Sequence, residues 1–263
     1  MTSLQPTYEV STANVDPDLI AQIAFEGRLP LEVARILAHR AGTFEEAMRW
    51  LKPFDVELSD PFSFSDMSKA IDRILRAIKA QEHIVIYGDY DVDGITATTL
   101  MMQALEAWGA NVSPFFPDRF EEGYGLSIAA LERCLAIHEA RGWAKPSLLI
   151  TVDCGITSVK EIEWLKLHQI EVVVTDHHMP LDVLPKAVAV VNPRIQADVR
   201  ATEASGCATA FAVVRALAKT LDVPPLKLAK TETPLAAIRR QPETYFDLVA
   251  VSIISDVMLL VGD

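Results

Sequence analysis

The sequence predicts an α/β fold, a mainly parallel five-stranded sheet with helices on both faces and an N-terminal helical layer. Two observations predict it. From residue 84 onward, short apolar runs alternate with helical patterns, which is typical of strands in a parallel sheet. Acidic or polar residues follow several of these runs directly, where a strand would end. The 263 residues, half of them hydrophobic, are enough for one large domain or one domain with a small attachment.

Residues 1–80 are predicted to be helical and contain no obvious chemistry. Segments with helical spacing and plausible caps are residues 16–25, 30–39 and 43–51. The acidic segment 53–66 contains two prolines and is interpreted as a linker, and a helix over residues 66–79 follows it. We therefore interpret residues 1–80 as an N-terminal packing extension and residues 81–263 as the domain that contains the functional site.

The alternating part of the chain gives five strands and the helices between them. The predicted strands are residues 84–87, 112–116, 148–152, 172–175 and 188–191. The predicted helices are residues 95–108, 127–141 and 158–168, with a short turn after Pro180. A further helix is expected from residue 206 to about 221, ended by Pro224-Pro225, and a helical stretch from 242 to about 260.

An acidic turn follows the first predicted strand. Asp89, Asp91 and Asp93 lie within five residues, and such carboxylates repel one another unless cations lie among them. The turn stands between an apolar strand and a helix with an apolar face, which argues against a merely solvated run of charge. We interpret the turn as a divalent-metal site.

The same turn matches the first half of a calcium-binding loop, but the match stops there. That loop needs a glutamate at its twelfth position, which here is Leu100. It also needs a preceding helix, whereas this turn follows a strand. The calcium-loop interpretation is therefore rejected.

Two other predicted strands also end in residues able to bind metal. Asp153 follows the third strand, and Asp176, His177 and His178 follow the fourth. Taken singly, each could be an ordinary loop or capping residue. Because the carboxyl ends of parallel strands share one edge of the sheet, we expect these side chains to meet the acidic turn there.

The types of ligand indicate the metal. Carboxylates with one or two imidazoles and no thiolate favour Mn²⁺ or Mg²⁺ over structural zinc. Several carboxylates able to bridge suggest two ions about 3.5–4 Å apart, a pair that activates water and stabilises in-line displacement at phosphorus. Adjacent side chains diverge, so we assign His177 to the metal and His178 to the substrate phosphate or leaving group. The alternative is a pair of hydrogen-bonded histidines at the sheet edge.

Composition limits the classes of function. The net charge of −12 argues against broad binding of duplex nucleic acid through a basic surface. It does not exclude a nuclease, because bound cations reverse the field at an acidic site. Three widely spaced cysteines indicate reduced thiols in a cytoplasmic protein. No signal peptide or membrane-spanning run is recognisable, so no membrane partner is expected.

Ordered motifs resemble those of the DHH phosphoesterase superfamily, named for residues 176–178. Within it, the chain resembles RecJ-type single-strand-specific exonucleases over roughly residues 80–263. The motifs are GDYDVDG at 88–94, PDRFEEGYGLS at 117–127, VDCGI at 152–156, TDHH at 175–178, VNP at 191–193 and SIISDVMLL at 252–260. The departures are SGCATAF at 205–211, where the family has more glycine, and Leu259 in place of a proline.

The resemblance implies two metal positions bridged by Asp153. The first would be held by Asp89, Asp91 and Asp153. The second would be held by Asp93, Asp153, His177 and Asp256. Asp256 lies in an otherwise apolar helical stretch, where a buried carboxylate is costly unless it is paired or bound to metal.

The resemblance also implies the activity, which is metal-dependent hydrolysis of single-stranded DNA from the 5′ end to mononucleotides, in repair and recombination. Asp153 and His178 would be catalytic, and His178, Arg119 and Tyr124 would bind substrate. Expected partners are single-stranded nucleic acid and replication or repair proteins. The aromatic candidates for base stacking, which could equally belong to the core, are Tyr90, Phe115, Phe116, Phe120 and Tyr124.

Three alternatives stay open at this point. The chain could hydrolyse oligoribonucleotides or small signalling nucleotides, or it could be a non-catalytic replication scaffold. An inorganic pyrophosphatase of the same superfamily is disfavoured by the EGYG segment and by Asp89, where that branch has histidine. RecJ-like proteins continue into a DHH-associated domain and often an OB-fold, so this chain is expected to be a catalytic domain that lacks them.

Overall fold

The computed structural model describes residues 14–52, 58–195, 204–223 and 238–259. The predicted end of a helix at Pro224-Pro225 and part of the predicted linker, residues 53–57, lie outside these ranges. The chain divides into two compact units, Met1–Leu58 and Ser59–Asp263. This division falls earlier than the boundary expected after residue 80.

The first unit contains the three expected N-terminal helices. They are α1 (Pro17–Gly27), α2 (Leu31–Ala41) and α3 (Phe44–Leu51). Asp16 and Thr43 cap α1 and α3 through side-chain oxygens that accept backbone N–H bonds, as N-cap residues do. Their apolar faces enclose a small core of Ile20, Ile23, Ala34, Ala38 and Ala47.

The second unit is built on a five-stranded parallel sheet. Its strands are β1 (His83–Gly88), β2 (Asn111–Phe115), β3 (Leu148–Val152), β4 (Glu171–Thr175) and β5 (Ala189–Val191). The strand order is β2-β1-β3-β4-β5, with every neighbouring pair parallel. The predicted fold class is confirmed, and the order reverses between β1 and β3.

Six described helices accompany the sheet. They are α4 (Met67–Ala80), α5 (Val92–Ala107), α6 (Ile128–Ala140), α7 (Val159–Leu167), α8 (Gly206–Thr220) and α9 (Phe246–Ser255). Within the described residues, no helix combines the length and apolarity that crossing a membrane requires. Residues 181–188, which follow Pro180, contain three bends and no helix.

The central strands are buried on both faces because helices cover both. Val85 and Val174 lie in a core cluster with Leu131 of α6 and Ile162 of α7. Side chains alternate along a strand, so the intervening residues point to the opposite face, where α5 and α8 pack. Burying an isoleucine or valine contributes about 1.5–3 kcal/mol, which explains the near-continuous apolar strands.

Helix α4 belongs with the sheet. It packs against β5 and α8, and the side chain of Asp66, just before it, accepts a 3.2 Å hydrogen bond from the Val190 N–H. Because these contacts join α4 to the second unit, the boundary falls before this helix.

A buried histidine pair lies at the amino-terminal edge of the sheet. His138 Nδ1 donates to the Cys134 carbonyl at 2.8 Å, so neutral His138 accepts at Nε2. That Nε2 lies 3.1 Å from Ser113 Oγ and 3.2 Å from His83 Nε2, and Ser113 Oγ lies 2.9 Å from His83 Nε2. Burial, and then the neighbouring His138, lower the pKa of His83 from its ordinary value of 6.5.

Because the pKa of buried His83 is lowered, we expect the folded protein to lose stability in acid. A histidine with a lowered folded-state pKa binds its proton more readily in the unfolded chain. Its contribution to stability is therefore complete above pH 6.5 and is lost as the pH falls below that value. We expect the Tm to fall less steeply from pH 7 to pH 5 in His83→Gln than in wild type. His168→Gln, at the end of α7, is the control, and equal slopes in all three proteins would contradict this account.

Candidate metal centre

The acidic turn joins β1 to α5 at the carboxyl edge of the sheet. Asp91 is the N-cap of α5, and its side chain accepts a 2.9 Å bond from the Gly94 N–H. A Cβ at Gly94 would collide with the Asp89 backbone, so the turn is this tight only with glycine there. Asp89 and Asp93 are buried, whereas Asp91 is exposed.

Asp153 directly follows β3, on the other side of the point where strand order reverses. Its backbone lies in the left-handed region, with φ 62°, which is strained for a residue other than glycine. A Cβ at Gly206 would overlap the Asp153 side chain, so the amino end of α8 approaches this carboxylate closely. The sheet and α8 together fix Asp153.

Asp176 follows β4 and holds the turn of the two histidines. Its Oδ1 accepts from the His177 N–H, the His178 N–H and His178 Nδ1, at 2.7, 3.0 and 2.7 Å. Its Oδ2 accepts from the Ile156 N–H at 2.8 Å. Burial would raise the pKa of Asp176, but these hydrogen bonds and the charge of His178 outweigh burial and lower it. Asp176 therefore orients His178.

Residues after β5 hold the same turn from the other side. The Asn192 side-chain amide donates to the His178 carbonyl at 3.0 Å, and Arg194 Nε donates to the His177 carbonyl at 2.8 Å. Asn192 Oδ1 in turn accepts from the Arg194 N–H at 2.7 Å. Because the carbonyls of both histidines accept these hydrogen bonds, the backbone that carries the two imidazoles is held in place.

Helices α8 and α9 complete the cluster. Asp93 accepts from the Gly206 and Cys207 N–H groups, both at 2.7 Å, so its carboxylate lies at the amino end of α8. Ser252 of α9 also donates to it, at 2.6 Å. Asp256 follows the last residue of α9 and faces the same cluster.

The position of Asp256 corrects one expectation. The helix was predicted to continue to about residue 260 and to bury this carboxylate, but α9 ends at Ser255 and the Asp256 side chain is 30% exposed. The chain turns at Val257, with φ 54°, and the Met258 N–H closes the helix end on the Ile253 carbonyl at 3.1 Å. Burial alone is thus a poor reason to select Asp256.

Three groups of side chains could each place their ligand atoms around one ion, with those atoms all within 4.8 Å of one another. The groups are Asp89, Asp91 and Asp153; Asp93, His177 and Asp256; and Asp153, His177 and His178. His177 Nε2 lies 3.7 Å from Asp93 Oδ2, 3.2 Å from Asp153 Oδ1 and 3.6 Å from Asp256 Oδ2. In the third group, both nitrogens of His178 already have neighbours, Asp176 and Tyr124.

Burial and the closeness of the carboxylates raise the pKa values of several of them. Burial, then the charges of Asp93 and Asp91, raise the pKa of Asp153 to about 10. Burial and the charge of Asp91 raise the pKa of Asp89 to about 6, and partial burial with Asp93 raises the pKa of Asp256. Without compensating cations, the cluster is electrostatically unfavourable when ionised.

The potential ligand atoms of this cluster suit divalent cations. Asp89 Oδ1 and Oδ2 and Asp153 Oδ1 are buried and make no hydrogen bond of acceptable geometry within the described ranges. Buried carboxylate oxygens without donors are costly, and a cation bound among them would remove that cost. Oxygen-rich sites with imidazole suit Mn²⁺ or Mg²⁺.

The predicted substrate-binding residues lie on the exposed side of this cluster. The Tyr124 hydroxyl is 2.9 Å from His178 Nε2, and its ring meets Tyr90 edge-on at 6.4 Å. The Arg119 guanidinium lies 5.0 Å from the centre of the Tyr90 ring. Of the other aromatic candidates, Phe115 is in the core and Phe120 is 95% exposed.

The structure therefore brings all six predicted metal ligands to one edge of the sheet. His178 lies beside them, with Tyr124 against it and Arg119 further out. Sequence reasoning missed the supporting roles of Asp176, Asn192, Arg194, Gly206 and Ser252. A local signal existed for Ser252, which stands four residues before Asp256 and thus on the same helical face.

Comparison with known proteins agrees with this architecture. The family model for the DHH family, N-terminal domain, matches residues 83–251. The chain is 39% identical over 180 residues to the single-stranded-DNA-specific exonuclease RecJ of Bacillus subtilis (strain 168), covering 68% of this chain and 22% of that protein. The RecJ of Thermus thermophilus is 36% identical over 186 residues, covering 71% and 24%.

Solved structures give the same picture. A crystal structure of exonuclease RecJ bound to manganese is 33% identical with a TM-score of 0.65, covering 78% of this chain and 46% of that one. The Thermus thermophilus RecJ complex with Mn²⁺ is 28% identical with a TM-score of 0.65, covering 95% and 32%. The chain thus spans about a quarter of the length of the two curated relatives above.

Proposed function

The chain belongs to the DHH family, and from that membership we propose that its acidic cluster binds two divalent cations and hydrolyses phosphodiester bonds. The observation that carries the proposal is the meeting of Asp89, Asp91 and Asp153 with Asp93, His177 and Asp256, where buried oxygens lack hydrogen bonds. A structural role alone would not gather so many like charges.

We propose Mn²⁺ or Mg²⁺ as the cations, since Mn²⁺ is bound in the two RecJ structures above and oxygen-rich sites suit both ions. Asp89, Asp91 and Asp153 would hold one ion, and Asp93, His177 and Asp256 the other. Asp153 is within reach of both groups, 3.2 Å from His177 Nε2, and is our candidate for the bridging ligand.

When bound, such a cation pair lowers the pKa of water and neutralises the charge that develops on the phosphoryl oxygens. His178 would bind the phosphate or the leaving group through Nε2. The hydrogen bond from Nδ1 to Asp176 raises the pKa of His178 and keeps its Nδ1 protonated, so Nε2 points away from Asp176. A phosphoryl oxygen would lie beside His178 Nε2 at about the position that the Tyr124 hydroxyl has in the structure.

The proposed substrate is single-stranded DNA, degraded from the 5′ end to mononucleotides, in cytoplasmic DNA repair and recombination. The related proteins are single-stranded-DNA-specific exonucleases, which supports the substrate and the type of cleavage. The 5′ polarity, the mononucleotide product and the role in repair rest on the family resemblance alone. Exposed Arg119 and Tyr124 beside the site, with exposed Phe120 next to Arg119 in the chain, suit a single strand, because cations attract its phosphates and rings stack on unpaired bases. Repair or replication proteins are the proposed protein partners.

The test is digestion of single and double strands labelled at the 5′ or the 3′ end, with Mn²⁺, with Mg²⁺ and with chelator. We expect labelled mononucleotide from 5′-labelled single strands from the earliest times, and full-length duplex to persist. Salt should weaken substrate binding, because phosphate contacts release counterions.

Competition with short substrates separates the alternatives. Dinucleotides that outcompete long single strands would favour a hydrolase of oligoribonucleotides or signalling nucleotides. Absence of hydrolysis with either cation, despite cation binding, would instead favour the scaffold alternative and contradict the proposed activity.

A further inference from the structure

A chain of hydrogen bonds runs from α8 through α9 to Asp93. Ser205, the N-cap of α8, accepts from the Ala208 N–H at 3.2 Å. Its Oγ lies 2.5 Å from Ser252 Oγ, which lies 2.6 Å from Asp93 Oδ1. Both serines are fully buried. An ionised carboxylate only accepts, so Ser252 donates to Asp93 and Ser205 donates to Ser252.

Three other helical hydroxyls of this unit behave differently. Thr209, Thr220 and Ser255 each donate to a backbone carbonyl within about one turn of their own helix, at 2.8 to 3.0 Å. Such local bonds are the ordinary way to satisfy a helical hydroxyl. Ser252 instead donates to a residue 159 positions away in sequence. Its hydroxyl therefore serves a tertiary contact.

Ser252 also stands one helical turn before Asp256. The Asp256 N–H donates to the Ser252 carbonyl at 2.9 Å, so the two residues lie on one face of α9. The carboxylates of Asp93 and Asp256 approach the same nitrogen, His177 Nε2, at 3.7 and 3.6 Å. The bond from Ser252 thus joins Asp93 directly to the helix that presents Asp256.

We propose that Ser252, supported by Ser205, is a positioning residue for the cation held by Asp93, His177 and Asp256. This inference rests on the proposed function, because it concerns the same cation site. Hydrogen-bond partners of metal ligands typically change metal affinity by about 10–100-fold when removed. Removing the Ser252 hydroxyl would leave the other cation position, at Asp89 and Asp91, largely unaffected.

The experiment is Mn²⁺ titration by calorimetry of wild type and Ser252→Ala. We expect one of the two Mn²⁺ sites to weaken by about 10-fold or more in Ser252→Ala. The Mn²⁺-induced rise in Tm should shrink correspondingly, since stabilisation by a ligand depends on its affinity. Thr220→Ala is the matched control, because the Thr220 hydroxyl donates to the Ala216 carbonyl at the other end of α8 and takes no part in this chain of hydrogen bonds. Ser252→Thr keeps a hydroxyl and should retain most of the affinity.

A merely structural role predicts a different result. It would lower the Tm of the cation-free protein while leaving Mn²⁺ affinity unchanged, and that outcome would overturn the inference. If Ser252→Ala does not fold, Ser252→Cys keeps the volume with a weaker donor, and wild-type Mn²⁺ affinity in it would likewise overturn the inference. Failure of wild type to bind Mn²⁺ would instead refute the proposed function.

Discussion

Replacing Asp153 with asparagine should abolish hydrolysis and most Mn²⁺ binding, yet leave the cation-free protein folded and at least as stable as wild type. The carboxylate is buried, follows β3 in a strained conformation and borders both groups of ligands. Cation pairs contribute several kcal/mol to transition states of this kind, so we expect activity to fall at least about a thousand-fold. Calorimetry with Mn²⁺ and a digestion assay would measure the two losses.

The expected gain in stability has a separate physical reason. Burial and the charges of Asp93 and Asp91 make ionisation of Asp153 unfavourable in the absence of cations. At neutral pH the cation-free protein must therefore hold a proton on Asp153 that the unfolded chain does not hold, which lowers its stability. An amide of the same shape removes this requirement. We expect the Tm measured with chelator to be equal or higher in Asp153→Asn. Asp72→Asn, on the exposed side of α4, is the control for replacing a carboxylate by an amide.

A lower Tm of cation-free Asp153→Asn, with Mn²⁺ affinity unchanged, would make Asp153 a structural residue. Retention of Mn²⁺ binding and turnover together would contradict the assignment of Asp153 as the bridging ligand.

His178→Ala should separate chemistry from cation binding. The Nδ1 of His178 donates to Asp176, and its Nε2 faces Tyr124 on the exposed side. Loss of a positioned imidazole typically slows a proton-transfer or phosphate-binding step by about 10²–10⁴-fold, and we expect turnover to fall within that range. Mn²⁺ affinity should change by less than about tenfold, below the effect typical of residues that support metal ligands.

The fold of this variant should persist. Asp176 keeps the backbone N–H groups of Ile156, His177 and residue 178 as donors after the imidazole is removed. His168→Ala, at the end of α7, is the matched control for histidine removal. Simultaneous loss of Mn²⁺ binding and turnover in His178→Ala would show that this imidazole is itself a metal ligand.

The sequence alone determined the sheet and the location of its site. Strands buried on both faces must be apolar, and acidic residues at their carboxyl ends must share one edge, so Asp89, Asp153 and His177 were predictable from local pattern. Asp256 was identified through resemblance to a family. The burial argument for it was wrong, because the end of α9 depends on how the chain turns at Val257.

Only the tertiary structure distinguished the individual carboxylates. Asp89 and Asp93 stand in one motif, yet Asp89 makes no hydrogen bond of acceptable geometry in the described part of the chain, whereas Asp93 accepts from α8 and Ser252. Those donors are more than a hundred positions away in sequence. Their approach depends on packing of α8 and α9 against α5, with a glycine at position 206 to allow contact with Asp153. Local propensity and spacing do not encode contacts of that range, because they arise only when several helices share one core.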